Sequence, residues 1–228
     1  MAEKTVRGLD LVMYSARKRH FGIQHARDLT IELKGNDLLS RRSFQMLEKY
    51  GTSTNHSLTD QVISTCIGFR DKHPIYLFGA AVFGEKSILR NIGNNRLSRP
   101  LADILDKVSA ASTHLNERRN VHLVFDGQIC GAEPNIAASV RRFVAGVKLK
   151  NISHYPLVGV SHVMPGIQLA DIIAFILGRH AVGDGAMEPW FKKLLPLEWA
   201  GQINGFDRRG FQRWEKNATG NIVVRHLP

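Results

Sequence analysis

The sequence predicts an α/β fold, and three observations carry that prediction. Residues 74–83, 121–127 and 155–163 are apolar runs of strand length, rich in Val, Ile, Leu, Phe and Tyr. Apolar residues at helical spacing follow the first two runs over 97–115 and 134–148, and a nearly continuous apolar stretch follows the third over 166–177. Strands alternating with helices imply some parallel sheet, because parallel neighbours need a crossover, usually a helix.

Residues 9–20 read as the first helix. Leu9, Leu11, Val12 and Ala16 are apolar, and Arg17-Lys18-Arg19 puts cations at the C-terminal end, where the helix dipole favours them. Residues 29–35 alternate apolar and polar, which predicts a short strand or extended turn carrying Glu32. Residues 40–50 and 58–69 read as helices, and the strand at 74–83 ends at Gly84-Glu85-Lys86. After a polar loop, Leu97, Leu101, Ile104, Leu105, Val108 and Leu115 share one helical face, and Arg118-Arg119-Asn120 closes that helix. The strand at 121–127 stops at Asp126-Gly127, a turn signal. In the helix at 134–148, Ile136, Val140, Phe143, Val144 and Val147 face inward, while Arg141, Arg142 and Lys148 lie nearer solvent.

Beyond residue 181 the texture changes. Trp190, Phe191, Trp199, Phe206, Phe211 and Trp214 are interleaved with Lys192-Lys193 and Arg208-Arg209. These aromatics suit either a small core or a surface on which bases stack. The expected organisation is an α/β domain over 1–182 and a C-terminal appendage over 183–228 packed on it.

Composition narrows the function classes. With 43% hydrophobic and 22% charged residues the chain is globular, not disordered. Its 31 Lys and Arg against 20 Asp and Glu give a net charge of +11, which favours polyanionic partners and makes nucleic acid the expected one. No apolar run reaches the roughly 20 residues of a membrane span. Cys66 and Cys130 lie too far apart for a zinc motif or a disulfide framework, which suits a reducing, cytoplasmic setting.

The helix over 166–177 carries the sharpest chemical signal. Its residues are small or apolar except Gln168 and Asp171, so it reads as buried all round. A buried carboxylate at Asp171 then needs a cation, a metal, a proton, or a backbone donor. Asp126 ends a strand, where ligand crevices of α/β sheets lie, although Asp-Gly is also a plain turn. Glu32 is a third carboxylate, on an alternating segment where charge is ordinarily solvated. Three carboxylates from separate elements would suit Mg²⁺ or Mn²⁺, hard ions that take oxygen ligands.

The same residues carry a family resemblance. Pro165-Gly-Ile-Gln-Leu-Ala-Asp171, followed by Ile-Ile-Ala174, resembles the C-terminal signature of domain-of-unknown-function family 3800, Gly-Leu-Gln-Leu-Ala-Asp-Leu-Ile-Ala. Val121-His-Leu-Val-Phe-Asp126 resembles the Asp-terminated strand before it, and Ile31-Glu-Leu-Lys-Gly35 its Glu-Leu-His/Lys segment. The resemblance covers roughly 32–179. It implies a ribonuclease H-like mixed sheet flanked by helices, with Glu32, Asp126 and Asp171 as metal ligands and catalytic carboxylates. The family's opening Asp-Glu-Ser-Gly strand and the hydrophobic strand after it have no counterpart here. The resemblance thus implies an N-terminally incomplete domain that lacks one carboxylate and the middle of its sheet, so that the remaining three strands must pair among themselves.

Other catalytic patterns are weaker. Gly159-Val-Ser-His-Val163 lacks the last glycine of a nucleophile elbow, and no phosphate-binding glycine loop is present. His162 and His180 flank the signature helix and, with Gln168, could assist an acidic site. The pairs Arg41-Arg42, Arg141-Arg142 and Lys192-Lys193 are the candidate contacts to a nucleic-acid backbone. The expected function is a metal-dependent nuclease or nuclease-like phosphodiester hydrolase. The alternative is an inactive nucleic-acid- or partner-binding module of a phage-defence or mobile-element system.

Overall fold

The computed structural model describes residues 3–25, 27, 31–40, 55–70, 75–84, 97–114, 121–127, 133–147, 149, 151–153 and 155–227. These fall into two compact units, each built from two stretches of chain: 1–75 with 159–197, and 76–158 with 198–228. This division differs from the expected 1–182 and 183–228.

The first unit is helical. It contains α1 (Glu3–Phe21), α2 (Gly35–Leu39), α3 (Asn55–Arg70), α6 (Pro165–Ala181) and α7 (Glu188–Leu194). On α1, Leu9, Val12, Met13 and Ala16 are buried, the i, i+3, i+4, i+7 pattern of a core-facing stripe. They meet α3, whose Leu58, Val62, Ile63 and Cys66 are buried in turn. Burial pushes the Cys66 thiol up to about 12, so it is a packing group and not a nucleophile. Ile31 and Leu33 are buried as well, yet residues 31–34 form an extended connection and not a strand. The helix expected over 40–50 lies, from residue 41 on, outside the described residues.

The second unit holds β1 (Gly79–Val82), α4 (Arg99–His114), β2 (Val124–Asp126), α5 (Glu133–Gly146), β3 (Leu157–Gly159), β4 (Ala200–Ile203), β5 (Phe206–Arg209), β6 (Phe211–Lys216) and β7 (Ile222–His226). Leu97, Ala102 and Leu105 pack with Val140, Phe143, Val144 and Ile152 in one cluster, which Val121, Leu123 and Phe125 border. The expected pairing is half right. β2 does pair with β3, but β1 runs parallel to β6 of the tail, with Gly79 opposite Phe211, and β6 pairs antiparallel with β7. The tail thus completes this unit's sheet. At the junction, a Cβ on Gly210 would come 2.4 Å from the Leu77 carbonyl oxygen, so only glycine fits. Buried Glu198 accepts the Phe211 N–H at 2.8 Å and lies 2.9 Å from His226 Nε2, fastening β6 and β7 to the residue before Trp199.

Lys107 of α4 is fully buried and pairs with Asp103, one helical turn back, at 2.6 Å. Burial lowers its pKa; the Asp103 contact opposes that shift, and Arg208 adds to it. A lysine held below its ordinary value binds its proton more weakly in the folded state. Stability therefore rises with pH from the folded value up to 10.5, the unfolded one. Urea unfolding of wild type and of Asp103→Asn/Lys107→Met, at pH 7 and near pH 10, tests this. Wild type should gain on the double variant as pH rises, and a constant difference would show that the ammonium is not desolvated.

Candidate functional site

The signature helix α6 is buried on one side only. Leu169, Ile172, Ile173, Ile176 and Leu177 face the core, while Ala170, Asp171, Ala174, Gly178 and Arg179 are exposed. The expectation of a buried Asp171 is therefore corrected. Small residues at 170, 174 and 178 form a solvent-facing stripe, which a count of apolar residues mistakes for core.

The buried polar group is Gln168, only 2% exposed. Its Oε1 accepts from Arg17 Nη2 at 3.1 Å and from the Leu33 N–H at 3.2 Å. Its Nε2 donates to the carbonyls of Ser161 at 2.9 Å and His162 at 3.2 Å. One side chain thereby joins α1, the 31–35 segment, the short turn before α6 and α6 itself.

That clamp brings the Glu32 segment against α6. The Gly35 N–H, at the start of α2, donates to Asp171 Oδ2 at 2.7 Å. An unpaired N–H at a helix start is a natural partner for a carboxylate. A Cβ on Gly35 would lie 2.5 Å from Phe175 Cβ, so glycine permits the approach. Glu32 pairs with Lys34 at 3.1 Å. The contact with Glu32 raises the Lys34 pKa against a smaller burial effect, and the fields of Asp171 and Asp37 add to the rise. Asp37 is pushed up chiefly by burial; Lys34 opposes this, and Asp171 and Glu32 add to it. A lysine thus sits among Glu32, Asp37 and Asp171. Lys34 belongs to the Glu-Leu-Lys segment that carries the resemblance, and Asp37 falls in the first turn of α2, but no spacing in the sequence marks the two as neighbours of Asp171.

Asp126 ends β2 as expected, in the other unit from Glu32 and Asp171. Among the described residues no three His, Cys, Asp or Glu side chains form a group that could hold a metal ion. Asp171 Oδ2 is engaged by the Gly35 N–H and Glu32 by Lys34, so these donors as folded do not fit Mg²⁺ or Mn²⁺.

The auxiliary and basic candidates separate. His162 is exposed and contributes only its carbonyl, while His180 stacks on Phe191 at 3.9 Å and pairs with Glu188 at 3.2 Å. Lys192 pairs with Glu188 at 3.0 Å and Lys193 with Asp60. Arg141 and Arg142 are exposed on α5. Arg141 lies over the Tyr155 ring at 5.1 Å, and Arg142 Nε donates to the Ala138 carbonyl. Arg41 and Arg42 lie outside the described residues. Of the six tail aromatics, Trp190, Phe191, Trp199, Phe211 and Trp214 are core, and Phe206 is 67% exposed. An open polar cleft missed by the sequence reading is lined by Arg19, Ser57, Asp60, Gln61, Ser64 and Thr65. No protein-family model, curated protein or solved structure matches this chain. No helix among the described residues is long and apolar enough to cross a membrane.

Replacing Gln168 with Leu would remove the side-chain partner of the Leu33 N–H and break the bonds to Arg17 and to two carbonyls. A buried donor or acceptor left unpaired costs about 1–3 kcal/mol. Gln168→Leu should therefore lose roughly 2–4 kcal/mol in urea unfolding. A loss below about 0.5 kcal/mol would show that the clamp contributes nothing net.

Proposed function

We propose that this chain is a nucleic-acid-binding protein whose second unit grips the phosphate backbone. The carrying observation is a set of exposed arginines in that unit: Arg141, Arg142, Arg208 and Arg209 are exposed, and no described carboxylate forms an ion pair with any of them. Unmatched arginines on a chain of charge +11 suit a polyanion, because neutralising phosphates releases their condensed counterions.

Hydrolysis is a second reading, favoured by a separate observation. The two segments that carry the family resemblance in the helical unit are hydrogen-bonded to each other, Leu33 to Gln168 and Gly35 to Asp171. That contact supports a ribonuclease H-like ancestry. Such an enzyme would draw on Glu32 and Asp171, whose segments this contact joins, with added Mg²⁺ or Mn²⁺. The present donor set offers no geometry from which to derive a step.

Fluorescence anisotropy with labelled oligonucleotides tests the binding reading. Affinity should fall steeply between about 50 and 200 mM salt, and Arg141→Ala/Arg142→Ala should flatten the dependence on log[salt] by roughly 1–2. No binding at about 50 mM salt would overturn it. Incubating the same oligonucleotides with Mn²⁺ tests hydrolysis. Cleavage by wild type that disappears in Asp171→Asn would establish the enzyme, whereas equal products from both would sink the acidic-site assignment.

A further inference from the structure

The hairpin formed by β4 and β5 is built unlike the rest of its unit. Its two strands pair antiparallel, with Ile203 opposite Phe206 and Ala200 opposite Arg209. The two-residue turn Asn204-Gly205 has φ of 52° and 79°, the left-handed pair of a type I′ turn, which matches the twist of the strands. Neither strand has another partner strand among the described residues. All four residues of β5, Phe206–Arg209, are exposed.

The base of this ribbon is held fast. Trp199, 3% exposed, lies against β4, where a Cβ on Gly201 would meet its Cζ2 at 2.5 Å. The same indole packs against Phe78 with ring centroids 5.7 Å apart. The far end carries the opposite character, with Phe206 67% exposed beside the turn. Side chains alternate along a strand, so Phe206 and Arg208 share one face. Asp207 lies on the other face, where Gln202 Nε2 donates to its carboxylate at 3.0 Å.

From this geometry we infer that the hairpin is a single-strand-binding finger, on which Phe206 stacks an unpaired base and Arg208, on the same face, holds the adjoining phosphate. The inference rests on the nucleic-acid reading and names the form of its ligand. An aromatic ring on a rigid stem offers a flat face to any base, and the neighbouring guanidinium supplies attraction to the backbone. A duplex keeps its base faces stacked inside and gives Phe206 nothing to cover. A lipid surface is the poorer fit, because Phe206 is the one large apolar side chain exposed on the ribbon, its cross-strand neighbour Ile203 being half-buried.

The test uses the full chain, with labelled oligo(dT), the oligo(dA)·oligo(dT) duplex, and vesicles of phosphatidylserine and phosphatidylcholine. Phe206→Ala should weaken oligo(dT) binding about 5- to 100-fold, the range of one lost base stack, and leave duplex binding within about twofold. Phe206→Trp should restore the lost affinity. Arg208→Ala should reduce the salt slope by roughly 0.7, one single-strand phosphate contact. If wild type binds oligo(dT) and Phe206→Ala binds it equally, the finger is refuted while the nucleic-acid reading stands. Equal losses on single strand and duplex would refute the finger too, as would vesicle binding that depends on Phe206. Failure of wild type to bind either nucleic acid refutes the underlying reading.

Discussion

The amide of Gln168 has two donor hydrogens and one oxygen with two acceptor sites, and the fold satisfies all four. Turned the other way, the amide would set its N–H groups against Arg17 and the Leu33 N–H, so its orientation is fixed by chemistry. Arg17 is 151 positions away in sequence and Leu33 is 135. Few single side chains can fix register over such distances, and this one does so where an unmet bond would be costly. The meeting of Gly35 with Asp171 follows from it, since Leu33 and Gly35 sit on the same short connection. Gly35 then lets α2 lie close against α6 near Phe175.

One cluster of charges in the helical unit closes on itself. Glu32, Asp37 and Asp171 gather about the Lys34 ammonium, and the lysine's pKa rises in consequence. A base with a raised folded pKa stabilises fully below its unfolded value of 10.5, and that contribution is lost as pH climbs through the folded value. Asp37 acts at lower pH. Its pKa is raised from 3.8 chiefly by burial, with Lys34 opposing and the fields of Asp171 and Glu32 adding, so its contribution to stability falls as pH rises from 3.8 through the folded value. In the mixed unit Arg213 and Arg225 share Glu215, whereas Arg141, Arg142, Arg208 and Arg209 are exposed and form no ion pair with a described carboxylate.

Periodicity made much of this legible. The helices at Glu3–Phe21, Asn55–Arg70, Arg99–His114 and Glu133–Gly146 follow from apolar spacing, and Asp126-Gly127 marks the end of β2. The pattern failed where it treats size and polarity alike. Ala170, Ala174 and Gly178 count as apolar but cost little when exposed, so apolar spacing alone makes α6 look buried on every side and gives Gln168, its one buried polar residue, no special weight. The tail is hard to read for another reason. Its aromatics look alike in composition, whereas alternation within β6 buries Trp214 beside partly exposed Arg213 and Glu215, and Asn204-Gly205 is among the strongest hairpin signals a sequence can give. The partner of β1 was not legible at all, because pairing across more than a hundred residues leaves no local trace.

That long-range pairing shapes how the chain can fold. Each unit waits for a distant segment: α6 and α7 to complete the helical unit, β6 to complete the sheet of the mixed one. β6 stands between β1 and β7, so the sheet has no centre until residues 211–216 arrive. Its antiparallel contact with β7 is local and can form first, whereas the parallel contact with β1 closes a long loop. Closing such a loop costs entropy that grows only slowly with its length, so the pairing is affordable yet slow. The glycine at 210 and the buried carboxylate at 198 sit at this junction, where the incoming strand must approach Leu77 and meet a ready acceptor for the Phe211 N–H.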